Sequence, residues 1–281
     1  MAFNTKTFFT RLLTAIVFVA VLLTGIMYDY MTFSTLFFIV SVWGLYEFYQ
    51  LAEKLGAKPY KVIGLLSGAL LYLAPTYFFA FLDSHKLCAI VGVSLFSIFL
   101  VALFDKKENT ILNLAYTFFG IVYAVIPFVF LHQIACFDDN KTYHLMAFNS
   151  HYVLGIILLI WLNDTAAYLV GSFIGKNKLY ERISPGKTWE GTIGATIITM
   201  VCSYIVSVWF PELAFIHWLV IAFIVATLGT AGDLVESMLK RQAGVKDSGK
   251  IMPGHGGILD RFDSLLFVSP FIYAYLQLFC K

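Results

Sequence analysis

The sequence predicts an all-α, polytopic integral membrane protein on three observations. Hydrophobic residues make up 60% of the 281 and Asp, Glu, Lys and Arg only 13%, and the mean hydropathy is +0.82. That charged share is about half of what a soluble domain carries. Apolar runs recur along the whole length, each reaching the ~18 residues that a helix needs to cross hydrocarbon. The basic residues gather in alternate connecting segments and leave the segments between them nearly bare. An ordinary soluble domain is excluded, and no Pro/Ser-rich or low-complexity linker sets a separate domain apart.

Nine spans are expected, in order 8–27, 31–52, 61–82, 86–104, 111–132, 152–174, 190–210, 213–238 and 263–280. The first follows Lys6 and Arg11 as a signal peptide would, but its run ends in Met-Tyr-Asp-Tyr-Met-Thr-Phe with no small-residue cleavage site. A retained first helix is therefore expected. The second span carries Glu47, the main charge within the spans before residue 150. The next three are plain, built of Phe, Leu, Val, Ile and Tyr. From 152 onward polar residues enter the spans, in Trp-Leu-Asn-Asp-Thr-Ala-Ala-Tyr, Trp-Glu-Gly-Thr-Ile-Gly-Ala and Gly-Thr-Ala-Gly-Asp-Leu-Val-Glu-Ser. Residues 1–150 thus read as N-terminal transmembrane scaffold helices, and 151–281 as a C-terminal transmembrane catalytic part with cytoplasm-facing motif loops.

Charge fixes the expected orientation. Sixteen of the 19 Lys and Arg fall on one side: the N-terminus, 52–61, 105–110, 175–189 and 239–262. Such an excess marks the cytoplasmic side, so the N-terminus is expected inside and the C-terminus outside. Cys88, Cys136, Cys202 and Cys280 are far apart and have no metal-ligand spacing, so they read as small buried hydrophobes.

Asp164 falls near the middle of the sixth span. A carboxylate there costs about 2.5–3.5 kcal/mol on insertion scales, so it should face a polar cavity or a partner. The plain structural reading is a helix–helix hydrogen bond by Asn163 and Asp164. Further along, Glu-Arg-Ile-Ser-Pro-Gly-Lys-Thr (181–188) resembles a phosphate-binding loop, but the required glycine five residues before Gly186 is Glu181. What survives is Lys187, able to meet a phosphate, and a turn from Ser184 that opens the next helix. Asp233, Glu236 and Lys240 then share one helical face. A Glu236–Lys240 pair at i, i+4 would be the plain account of two of them.

The segment 251–264, Ile-Met-Pro-Gly-His-Gly-Gly-Ile-Leu-Asp-Arg-Phe-Asp-Ser, is the most polar stretch between two apolar runs. Glycine-rich backbone that leads into a helix suits an anion, because amide groups and the positive end of the helix dipole converge. Asp260 and Asp263 lie one turn apart at that helix start, where acids are also ordinary dipole partners. With His255, Arg261, Lys246 and Lys250 nearby, they read as hard-oxygen metal ligands amid phosphate-neutralising cations. Such a set suits phosphoryl-type transfer.

At these residues the chain resembles the phosphatidate cytidylyltransferases, also called CDP-diacylglycerol synthases. The segment 237–263 matches the signature of that family at Ser237, Lys240, Arg241, Lys246, Asp247, His255, Gly256, Gly257, Asp260, Arg261 and Asp263. Met252 stands where a branched or aromatic residue is commoner. Asn-Asp-Thr-Ala-Ala-Tyr and Ser-Pro-Gly-Lys-Thr-Trp-Glu-Gly are similar to further elements of the family.

The resemblance implies an all-helical membrane enzyme that makes CDP-diacylglycerol and diphosphate from CTP and phosphatidate for phospholipid synthesis. It implies Mg2+ held by Asp233 and Asp260, with a monovalent cation as a further candidate. Asp263, Lys240 and Arg241 join the two ligands as catalytic residues. Lys187, Ser184, His255, Gly256, Gly257, Arg261, Lys246 and Asp164 are the expected substrate contacts. A homodimer is a candidate assembly, no nucleic-acid partner is expected, and the compact chain suits a bacterial plasma membrane with its site on the cytoplasmic side. Three other readings stand against this: a CTP-dependent polyprenol kinase, an ion-coupled transporter using Asp164 and Asp233, and a structural membrane scaffold.

Overall fold

The computed structural model describes residues 5–77, 83–106, 108–137, 148–251 and 256–280. Eleven α-helices carry most of them: α1 (Thr5–Met27), α2 (Tyr30–Lys54), α3 (Lys61–Thr76), α4 (Ser84–Leu103), α5 (Thr110–Ala124), α6 (Ile126–Ala135), α7 (Ser150–Ile174), α8 (Trp189–Trp209), α9 (Phe215–Ile224), α10 (Thr230–Gln242) and α11 (Leu259–Phe279). A π-helical stretch, Val225–Gly229, joins α9 to α10. Strands β1 (Lys178–Tyr180) and β2 (Ser184–Thr188) form an antiparallel hairpin that pairs Lys178 with Thr188 and Tyr180 with Ser184. The segment read as a turn from Ser184 is therefore a strand.

Among the described residues, seven helical segments are long and apolar enough to cross a membrane: Tyr30–Lys54, His85–Leu103, Thr110–Ala135, Ser150–Ile174, Trp189–Trp209, Phe215–Gln242 and Leu259–Phe279. Two shorter apolar helices, Leu12–Met27 and Lys61–Thr76, overlap the first and third expected spans. The third was expected to run on through 78–82, which lie outside the described residues. Local chemistry sets several ends. Asp29 caps α2 by accepting from Thr32 N at 2.6 Å, and the Thr32 hydroxyl closes the box from the other side. Within Thr110–Ala135 the helix breaks at Val125, and Pro127 follows at the start of α6, where its missing N–H does no harm. The four cysteines are free thiols.

By internal contacts the chain forms two compact units. The first comprises residues 1–132 and 242–262; the second comprises 133–241 and 263–281. The segment 242–262 thus groups with the first unit, although a division at residue 150 would place it with the second half.

The core of the first unit is aromatic: Phe33, Phe37, Phe48, Tyr49 and Tyr72 are fully buried or nearly so. Several of its polar groups find partners inside the protein, as buried groups need where no water reaches them. Tyr49 donates its hydroxyl to Thr117 O at 3.0 Å and Tyr72 to Ser34 O at 3.1 Å, while Ser34 Oγ lies 3.1 Å from Nε2 of buried His132. In the second unit, α7 and α8 approach through glycines. A Cβ at Gly191 would stand 2.9 Å from Ala167 O and 3.1 Å from Gly171 Cα. Trp218 is wholly buried and donates its indole N–H to Phe210 O at 3.0 Å.

Candidate active site

Each unit holds its own group of acidic side chains, and the two groups differ in what surrounds them. In the second unit the group is Asp164 on α7, Asp233 on α10 and Asp263 on α11. Gly232 explains why two of these meet. A side chain there would stand 2.6 Å from Phe267 Cβ and 2.8 Å from Asp263 O, so only glycine lets α11 come this close. Ser264 fastens the approach by donating its hydroxyl to Gly229 O at 3.2 Å. Asp233 follows Gly232 in sequence and Asp263 lies on the facing turn.

The hairpin supplies the cation. Thr188 caps α8 by accepting from Gly191 N at 3.2 Å. Glu190, in the first turn, accepts from the Asn177 side-chain amide at 2.6 Å and from Lys176 N at 3.1 Å, which ties the base of β1 to the helix. One residue before that cap, Lys187 sets its Nζ 2.6 Å from Asp233 Oδ2. Ser237 donates its hydroxyl to Asp233 Oδ1 at 3.2 Å. The charges of Asp233 and Lys187 both act on Asp164 and on Asp263. Three carboxylates therefore share one ammonium group.

Among the described residues no three His, Cys, Asp or Glu side chains converge closely enough to enclose an ion by themselves. Magnesium takes one or two protein carboxylates and completes its shell with water and substrate phosphate. The excess of hard, anionic oxygen over a single lysine fits a divalent cation in this unit.

Other expected residues of the second unit are placed differently. Lys240 pairs with Glu236, whose side chain is only 1% exposed, so the pair expected from i, i+4 spacing is a buried one. Arg241 is exposed in the last turn of α10. Ser184 is half-buried and pairs with Tyr180 at the far end of β2 from Lys187.

In the first unit the glycine-rich segment does converge on an anion, and the anion belongs to the protein. Glu47, 2% exposed on α2, accepts from Ile258 N at 3.0 Å and from Leu259 N at 3.1 Å. Its carboxylate thus sits at the start of α11, where the helix dipole favours negative charge. Asp260 Oδ2 accepts from Ser248 N at 2.8 Å and from Gly257 N at 2.7 Å. The Ser248 hydroxyl lies 2.9 Å from Asp260 Oδ2 and 3.1 Å from Glu47 Oε2, bridging the two carboxylates.

The glycines make room for this arrangement. A Cβ at Gly257 would fall on Glu47 Oε2 and Ser248 Oγ and stand 2.6 Å from Gly249 N. Gly256 has φ +81°, a backbone that other residues rarely adopt. Lys246 and Arg261 are exposed. His255, with Met252, Pro253 and Gly254, lies outside the described residues.

Sequence reasoning gave Glu47 no role beyond its unusual depth. Its partners lie more than 200 residues away along the chain, and the only available signal was an isolated acid in an otherwise plain span. Glu190 and Ser248 were likewise passed over, because each acts through hydrogen bonds that no spacing announces.

Comparison with known proteins places this geometry. Residues 9–279 match the cytidylyltransferase family. The chain is similar to the phosphatidate cytidylyltransferase of Staphylococcus saprophyticus, 34% identical over 270 residues that cover 94% of this chain and 95% of that one. It is 34% identical over 275 residues to the phosphatidate cytidylyltransferase of Bacillus subtilis, with 96% of each chain covered. Against that of Staphylococcus haemolyticus it is 41% identical over 170 residues, 60% of this chain and 61% of the relative.

Proposed function

The chain belongs to the cytidylyltransferase family, and on that premise we propose that it is a membrane nucleotidyltransferase. It transfers the cytidylyl group of CTP to phosphatidate and makes CDP-diacylglycerol and diphosphate for phospholipid synthesis. The observation that carries this reading is the Lys187–Asp233 ion pair with Asp164 and Asp263 within electrostatic reach of it, an arrangement suited to phosphate charge.

A phosphatidate phosphate oxygen, ionised at neutral pH, attacks the α-phosphorus of CTP in line. The bond from that phosphorus to the bridging oxygen of the diphosphate breaks, and diphosphate leaves. An anionic nucleophile needs little help from a general base, so positioning and charge stabilisation supply most of the catalysis. Magnesium, if bound, would supply positive charge against the phosphate oxygens. In this reading Asp233 holds it with Asp263 and Asp164 beside it, and Asp260 is kept as a second ligand on the motif alone. A monovalent cation is a further candidate. Lys187, Arg241, Arg261, Lys246 and His255 neutralise substrate phosphate, with Ser184, Gly256 and Gly257 as polar contacts. Lys240 acts from its pair with Glu236. The first 150 residues form the scaffold, and through Glu47 they hold the signature segment in shape.

The apolar helices and the sixteen basic residues on one side support nine spans, a cytoplasmic N-terminus, an outer C-terminus and a site at the cytoplasmic face of a bacterial plasma membrane. A homodimer is part of the proposal, and no nucleic acid is.

The test uses purified protein, phosphatidate and CTP labelled on the α- or the γ-phosphate, with and without Mg2+. The α-label is expected in lipid, and chelating the metal should abolish its transfer. The γ-label in lipid would instead establish a kinase, and ion flux into proteoliposomes without CTP would establish a transporter.

A further inference from the structure

The first unit contains a cleft of about 490 Å3 between the C-terminal half of α2 and residues 245–251, of whose lining the reaction outlined above uses only Lys246. A volume of this size suits a small ligand or the polar end of a large one. Trp43, Tyr46, Gln50 and Lys54 line it from α2, and Lys246 and Lys250 line it from the loop. The four α2 residues form a single helical stripe about 16 Å long. At one end Trp43 and Tyr46 meet edge to face, with ring centroids 6.1 Å apart, inside a helix long and apolar enough to span a bilayer. Lys54 stands at the other end of the stripe, and Lys246 and Lys250 line the same cleft from the loop.

Those ammonium groups set the chemistry. Lys61, Lys86, Lys187 and Lys240 each pair with a carboxylate. Among the described residues, Lys54, Lys246 and Lys250 have no carboxylate within ion-pair distance. Asp247 also lines the cleft, but three lysines leave the rim net positive. Glu47, in the wall, is turned toward Ser248, Ile258 and Leu259, so its charge is already met by hydrogen bonds. Three lysines and two aromatic rings lining one cleft, beside a helix long and apolar enough to span a bilayer, suit a molecule with an anionic head and an apolar tail.

We propose that this cleft seats the phosphate end of a membrane lipid. The phosphomonoester lies against Lys54, Lys246 and Lys250, and the glycerol and the first methylenes of the acyl chains lie along Tyr46 and Trp43. A monoester carries nearly two negative charges at neutral pH, more than a diester headgroup, and several lysines around one phosphate favour it. The assignment names the lipid substrate's seat and rests on the reaction proposed above. A nucleotide phosphate shares the chemistry of the head but not of the tail.

Kinetics in mixed micelles separate the two sources. In the double variant Lys54→Gln, Lys250→Gln, the phosphatidate mole fraction at half-saturation should rise about tenfold. The KM for CTP should stay within twofold, and saturating lipid should restore kcat. Returning arginine at both positions should recover most of the loss, and Trp43→Ala should move the same constant by less. A rise in the KM for CTP would give the cleft to the nucleotide, and no change in either constant would leave it without a substrate. Both results overturn the proposal. Native mass spectrometry adds a readout independent of turnover: the wild-type protein should retain phosphatidate over phosphatidylcholine, and the double variant should not. Equal retention by both proteins also overturns it. If the wild-type protein makes no CDP-diacylglycerol, the reaction is what fails, and lipid retention still decides the cleft.

Discussion

The acids of the first unit and those of the second face opposite circumstances. Glu47 and Asp260 accept from backbone N–H groups at 257, 258 and 259 and share the Ser248 hydroxyl. Asp164, Asp233 and Asp263 have one another and a single lysine, with one hydrogen bond to Asp233 from the Ser237 hydroxyl and one to Asp263 from Ser264 N. A carboxylate ringed by amides is structurally complete, because a buried charge needs several hydrogen bonds and has them. Carboxylates that repel one another around one cation are incomplete, and the deficit is positive charge. The contrast teaches that a glycine-rich signature can be occupied by the protein's own acid, and it makes the acids with fewer hydrogen bonds the first candidates for the proposed chemistry.

The largest effect should come from breaking the second group. Asp233→Asn and Asp263→Asn should each lower turnover about a hundredfold or more, with the protein still recovered from membranes and eluting as before. Near-wild-type turnover of Asp233→Asn at low Mg2+ would move this acid into the structural class and dissolve the contrast.

Changes in the first group should act through stability. Glu47→Gln replaces one accepting oxygen by a donor that faces a backbone N–H, at a cost of about 1–3 kcal/mol. Thermal unfolding in detergent reads this, and turnover should fall in step with the folded fraction. Gly257→Ala forces a Cβ onto Glu47 and Ser248, and should cost about as much by overpacking. An unchanged melting temperature in both variants would show that the loop does not depend on these contacts.

Two smaller effects calibrate the scale. Gly186 lies beside Lys187, and a Cβ there would meet nothing within 4 Å. Gly186→Ala should therefore leave melting and turnover nearly untouched, within ~0.5 kcal/mol. A large loss would mean that β2 needs glycine for a reason other than space. The smallest effect belongs to Glu212, outside the spans. Burial works against its charge, but the hydrogen bond and charge of His151 hold its carboxyl below the ordinary range. A lowered folded-state value stabilises above the ordinary carboxylate range and is lost as pH falls through it. The wild-type protein should thus melt slightly above Glu212→Gln at neutral pH, with the gap closing on acidification. A gap that widened toward low pH would reverse this sign.

Elements governed by local composition were legible in the sequence. The apolar helices were, because hydropathy acts on about 20 neighbouring residues at once, although among the described residues seven, against nine expected, are long enough to cross a membrane. So was Glu236–Lys240, because one helical turn fixes its spacing. The hairpin was not: Ser-Pro-Gly-Lys-Thr has the chemistry of a turn, and strand pairing depends on the partner segment. Asp164, Asp233 and Asp263 could be picked out as acids at costly depth, but the arrival of Lys187 from a strand could not. Glu47 was hardest, because the amides that explain it are nearly a chain length away.

That separation also sets a schedule for biogenesis. Ile258 comes 211 residues after Glu47, and at about 5–20 residues per second a ribosome needs roughly 10–40 s to reach it. Throughout that interval the second helix enters the bilayer carrying an acid whose amide partners have not been synthesised. Synthesis of that later segment is therefore what satisfies the second helix, and a transcript truncated before codon 258 leaves that helix carrying a defect in the membrane.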